Sequence, residues 1–265
     1  MRSTSFLCGG LLALFVLQAT SEGALPNRAL MAAREAYLAS DFDQALAATA
    51  GQQDLEAKLI NCLSLYERYK LYRVADDGKR AKVLFNILKI DLTMEVLDGL
   101  HPYFNAPGHV TGNGKATDLL QHVLRRSGTA QDCRIIVRLL QQDIGEEAAL
   151  AGYRALERHL EHVRKYVNRG GTMPEVERTL FQDETLQRVL LDGLTNKRMD
   201  GAALAGLVAI EEAALPFLEQ RNDNLSTAQA ILKIKEARNR RLKAYPNSTW
   251  DSAFGRGDVP APAAL

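Results

Sequence analysis

Apolar residues recur at three- and four-residue spacing along nearly all of this chain, and no stretch alternates as a half-buried strand would. That period commits the chain to helices. Ala and Leu dominate, aromatics are only 6%, and Gly and Pro cluster at a few points, as a helical protein requires. The expected fold class is all-α, built from stacked antiparallel helix pairs as an α-solenoid-like or irregular helical domain. Helices are expected over about 26–39, 42–50, 54–73, 79–88, 93–100, 115–126, 131–142 and 146–168, with one or two more over 175–196. Asp76-Asp77-Gly78 reads as a break, and Gly170-Gly171 as the stop after the long charged helix. Residues 201–220 are apolar nearly all round, which marks a buried central helix that Pro216 breaks or kinks. A last helix, capped by Ser226, reaches about residue 244.

The N-terminus reads as an export signal. Arg2 is followed by an apolar run over 6–17, then by small residues at Ala19 and Ser21 that suit cleavage after Ser21. About 12 apolar residues are too few for a stable span, so no transmembrane segment is expected. The expected division is a signal peptide over 1–21, a helical domain over 22–245 with a possible subdivision near 169–173, and an extended Pro/Gly/Ala-rich tail over 246–265. Without Arg2 the chain carries 32 basic and 32 acidic side chains, a balance that argues against phosphate-driven nucleic-acid binding. Export points to the periplasm or the extracellular space.

Two resemblances bear on the architecture. Tyr37-Leu-Ala-Ser-Asp-Phe42-Asp-Gln-Ala45 resembles the middle of a tetratricopeptide repeat, with Tyr37, Phe42 and Ala45 in the places that lock two helices together. The family's earlier Trp and Leu-Gly positions are unmatched, and no second copy stands at the 34-residue period. Val83-Leu84-x-x-Ile87-Leu88 echoes Leu119-Leu120-x-x-Val123-Leu124, each followed by a further apolar helix, a unit similar to HEAT or armadillo repeats. Both resemblances imply stacked helix pairs that hold partners.

Chemistry-bearing residues are few and scattered. Cys62 and Cys133 are a possible disulfide in an oxidising compartment; the alternative is two buried thiols. His159 and His162 stand one turn apart, and His101 and His109 flank an irregular 101–114 segment, which makes all four weak metal-ligand candidates. The Arg-rich surroundings of the first pair disfavour a cation, and no metal or other cofactor is expected. Tyr103 and Phe104 in that segment, and Trp250 and Phe254 in the tail, are candidate partner-binding aromatics. Each set has a competing account, in which it plugs the core of its own domain. Lys235, Arg238, Arg240, Arg241 and Lys243 would either complement a helix C-terminus or meet an anionic surface. Arg256-Gly257-Asp258 spells an integrin tripeptide, and Asn224 and Asn247 open glycosylation sequons.

No catalytic constellation is legible. The reading is an exported protein–protein interaction adaptor, or a structural subunit of an envelope or extracellular assembly, open to homo-oligomerisation. The alternatives are an exported envelope-acting hydrolase with a site assembled from distant helices, and a small-ligand or metal-binding helical protein.

Overall fold

A computed structural model describes residues 28–221, 225–246 and 248–254. The expected signal peptide, Arg256-Gly257-Asp258 and both sequon asparagines lie outside the described residues. Within them the chain is all-helical, with no strand. The helices are α1 (Arg28–Leu38), α2 (Phe42–Thr49), α3 (Leu55–Tyr72), α4 (Ala75–Asp91), α5 (Met94–Leu97), α6 (Val110–Arg126) and α7 (Ala130–Leu140). They continue with α8 (Glu146–Asn168), α9 (Glu175–Phe181), α10 (Glu184–Gly193), α11 (Asp200–Ile210), α12 (Leu215–Glu219), α13 (Leu225–Ala244) and α14 (Trp250–Ala253).

Local chemistry sets many of these bounds. Asp41 and Asp54 accept hydrogen bonds from the first free amides of α2 and α3, and Thr129 with Asp132 forms a capping box on α7. At the end of α8, Gly170 takes the left-handed conformation (φ 89°) and the Gly171 amide donates back to the Tyr166 carbonyl, so the glycine pair stops the helix as expected.

Several expected boundaries move. Asp76-Asp77-Gly78 does not break the chain; it lies inside α4, because two carboxylates in a first turn complement the positive end of the helix dipole. Residues 110–114 are not irregular but open α6, preceded only by a short 3-10 turn over His101–Tyr103. The helix expected over 93–100 shrinks to the single turn of α5. The apolar 201–220 run breaks at Glu211 (φ 40°) rather than at Pro216, which instead sits in the first turn of α12, where its missing N–H costs nothing. In the tail, residues 250–253 coil into α14 instead of running extended.

Neighbouring helices pack in sequence order, α1 on α2, α2 on α3 and α3 on α4, with α6 bridging to α8. In the C-terminal half α11 lies against α8, α10 and α13, the buried position its sequence requires. Buried side chains from Ala33 to Trp250, on both sides of Gly170-Gly171, form one contiguous core. Tyr37, Phe42 and Ala45 are all buried at the α1–α2 corner. The 83/119 echo, however, joins positions of unequal burial: Leu119, Leu120, Val123 and Leu124 are all core, whereas Val83 and Ile87 face solvent.

Candidate docking surface

That inequality exposes the feature that stands out on this molecule. Val83, Ile87 and Ile90 fall at i, i+4 and i+7 on α4, so they share one face of the helix. Their exposures are 60%, 39% and 74%. The opposite face of α4, with Ala81, Phe85 and Leu88, packs on the core. Three large aliphatics uncovered on one helical face are more than the single exposed side chains that any surface carries.

Beside the stripe runs a groove of about 560 Å³ between α4, the first half of α3 and the 49–53 link. Val83 and Leu84 form part of its wall, and Ala57 and Asn61 of α3 line the facing side. The link is held in place by side chains. Asn61 Nδ2 donates to Thr49 Oγ1 (3.0 Å), and the Thr49 hydroxyl donates to the Ala45 carbonyl (2.9 Å). Lys58, Lys79 and Arg80 are the charged residues of the lining. Two of them reach α4's own first turn loosely, Lys79 to Asp76 at 3.5 Å and Arg80 to Asp77 at 3.9 Å. At the other end of α4, Arg126 donates to the Ile90 and Leu92 carbonyls (3.2 and 3.0 Å) and closes the helix C-terminus.

The residues singled out from sequence lie elsewhere. Trp250 is fully buried, its ring 5.8 Å from Phe181 and 5.4 Å from Phe254. Thr249 donates to the Gly171 carbonyl (2.7 Å) and Ser248 to Asn168 Oδ1 (3.2 Å), so the tail is fastened over the end of α8. The fold-back account of Trp250 is the arrangement found, and its indole is not presented to a partner. Tyr103 and Phe104 are likewise core residues; the Tyr103 hydroxyl donates to Glu56 (2.5 Å), which also accepts from Arg34.

The basic run of α13 is not one surface. Lys235, Arg240 and Lys243 are exposed and Arg238 is half-buried, but Arg241 is a core residue. Its guanidinium bonds Glu211 (2.8 Å) and Asp251 (3.0 Å), while Arg164 of α8 takes the other Glu211 oxygen (2.8 Å). Lys235 is paired with Glu219 at 3.2 Å. Cys62 and Cys133 are both free thiols, a correction to the possible disulfide. Cys62 faces α4, where its thiol meets the Ala81 carbonyl at 3.4 Å, and burial pushes it up to about 12. Cys133 sits on α7, which packs against α8, and burial raises it too.

The four histidines do not converge. His159 bonds Glu177 (2.9 Å) in the interior, whereas His162 points to solvent, and His101 lies in the 3-10 turn. Among the described residues no three His, Cys, Asp or Glu side chains gather as a metal site. His109 is buried and shares a 2.8 Å hydrogen bond with Ser40 Oγ, a pairing that sequence spacing of 69 residues conceals. Burial holds the His109 pKa below its usual value, against the opposing pull of Glu67. A serine beside a neutral histidine has the outline of a nucleophile and base, but the surroundings differ. The Ser40 and Asp41 amides are both spent on α1 carbonyls (3.0 and 2.9 Å), so neither points at an oxyanion. The contact ties the α1–α2 corner to the start of α6.

No family model, curated protein or solved structure matches this chain. Among the described residues no helix is long and apolar enough to cross a membrane.

In the sequence the α4 face reads only as one copy of the 83/119 echo. A signal was present. Positions 81, 83, 84, 85, 87, 88 and 90 are all apolar, more than one buried stripe of a 17-residue helix can use.

Proposed function

We propose that this chain is an exported helical protein whose task is to hold other protein, as an adaptor or as a structural subunit of an assembly outside the cytoplasm. The observation that carries the reading is the uncovered Val83–Ile87–Ile90 face with its adjoining groove. Burying a large aliphatic side chain is worth about 1.5–3 kcal/mol relative to leaving it in water. Three of them in one row therefore constitute a docking energy that the isolated chain leaves unused. The export reading rests on Arg2 and the apolar 6–17 run. Because Trp250 and Tyr103 are buried within the fold, the proposal takes α4 rather than the tail or the 101–114 segment as the interface.

A photo-crosslinking amino acid at position 90, compared with one at Glu161 on the charged, exposed side of α8, tests this in the native extracellular or periplasmic setting. Protein adducts from position 90 that disappear with Val83→Asp are the expected result. Adducts no more abundant than from position 161 would sink the reading. Val83→Asp lies on the surface and leaves the far-ultraviolet spectrum unchanged, which separates lost docking from lost folding.

A further inference from the structure

The exposed face of α4 is complementary to itself when one copy is turned end for end. In an antiparallel helix pair related by a two-fold axis, residue i of one chain meets residue j of the other and the reverse contact is identical. Side chains on one flank of a helix then meet the same flank of the partner helix. Val83 and Ile90 lie on the shared face equidistant from a point between positions 86 and 87, so turning the helix over places Val83 on Ile90. Ile87 falls beside the axis and meets its own copy. Arg80 and Asp91 are 11 residues apart, three helical turns, which puts them on the same flank at opposite ends of the stripe. The same operation leaves Arg80 two residues, about 3 Å, out of level with Asp91 of the other copy at both ends of the contact, an offset that the long arginine side chain spans. Both residues are exposed, and Arg80 has only its loose 3.9 Å approach to Asp77 to give up.

We propose that the occupant of the α4 face is a second copy of this chain, docked antiparallel through α4 about a two-fold axis beside Ile87. This rests on the docking reading above and makes the protein a self-associating subunit. Charge selects the orientation. A parallel pairing would instead leave Arg80 and Asp91 about 16 Å apart along the contact and form neither opposite-charge pair. The expected signal peptide is a poorer occupant, because residues 6–17 carry no charge to meet Arg80 or Asp91. A stripe from position 80 to 91 is about 16 Å long at 1.5 Å per residue. That is a small interface, so the dimer is weak and its population follows concentration.

Sedimentation equilibrium over a wide concentration range reads the dimer directly. Arg80→Asp and Asp91→Arg each place two like-charge contacts in the interface and are expected to weaken dimerisation about tenfold. The combined Arg80→Asp/Asp91→Arg chain restores the opposite-charge contacts and recovers the wild-type constant. Ile87→Cys, brought to its own copy at the axis, gives a disulfide-linked dimer on mild oxidation that Lys243→Cys does not give. A chain that stays monomeric at all concentrations and yields no Ile87→Cys dimer overturns the proposal. So does a dimer indifferent to both charge reversals. If position 90 still cross-links to a different protein under those outcomes, the docking reading stands and only the choice of occupant falls.

Discussion

At the scale of single residues, the corner where α1, α2, α3 and α6 meet is organised around one absent methyl group. A Cβ on Gly112 would lie 2.2 Å from the Tyr37 hydroxyl and 3.3 Å from Glu67 Oε1. The space is occupied because Glu67, buried on α3, accepts the Gly112 amide at 2.6 Å. That amide is one of the first-turn N–H groups with no partner inside its own helix, and a carboxylate is the favoured group at that end of the dipole. Gly114, two residues on in the same helix, has nothing within 4 Å of its would-be Cβ. The two glycines therefore respond oppositely to alanine. Gly112→Ala is expected to cost about 1–3 kcal/mol by overpacking. Gly114→Ala is expected to gain about 0.5–1 kcal/mol from helix propensity. Urea unfolding of both variants checks the pair, and equal shifts would contradict the packing described. Neither outcome was legible in the sequence, where Gly112-Asn113-Gly114 reads as loop. Two glycines two residues apart look alike until Tyr37 and Glu67, some 75 and 45 positions away, are placed beside one of them.

At the scale of elements, legibility followed the range of the forces. The bounds of α8 were readable to the residue, since Gly170-Gly171 carries its own stop, and α2 and α3 were readable from Asp41 and Asp54. The end of α11 was not. It turns where Glu211 enters an ion cluster with Arg164, Arg241 and Asp251, residues spread from α8 to α14. Nothing within a few positions of Glu211 announces that arrangement, and Pro216 was the stronger local signal. The cluster is also what holds the C-terminal elements together, because Arg241 bridges the α11–α12 junction to α14 and lies near the Trp250 ring (5.9 Å). Arg241→Met leaves the buried Glu211 carboxylate one guanidinium short. A buried ion pair with one partner removed typically costs about 3–5 kcal/mol. The combined Glu211→Gln/Arg241→Met chain is expected to lose less than the two single changes together, since the second removes the charge that the first stranded. Thermal melts of the three variants measure this, and strictly additive losses would mean the groups act independently.

At the scale of the whole molecule, the tail could be an appendage or part of the fold. Composition made it an appendage: Pro, Gly, Ser and Ala from position 246 onward, with one large aromatic pair set among them. Packing makes residues 250–254 part of a core that, among the described residues, extends from Ala33. Trp250 packs against Phe181, and its neighbours bond Asn168 and Gly171 at the end of α8. A core without a seam predicts that the two halves unfold together. Trp250 is the only tryptophan, so its fluorescence reports the C-terminal corner alone, while far-ultraviolet circular dichroism reports helices along the whole chain. The two transitions are expected to coincide in midpoint and in slope. A tryptophan transition that precedes the loss of helix would show instead that the tail detaches first. It would then be free to present Trp250 and Phe254 to a partner, while the α4 face stays where the rest of the fold holds it.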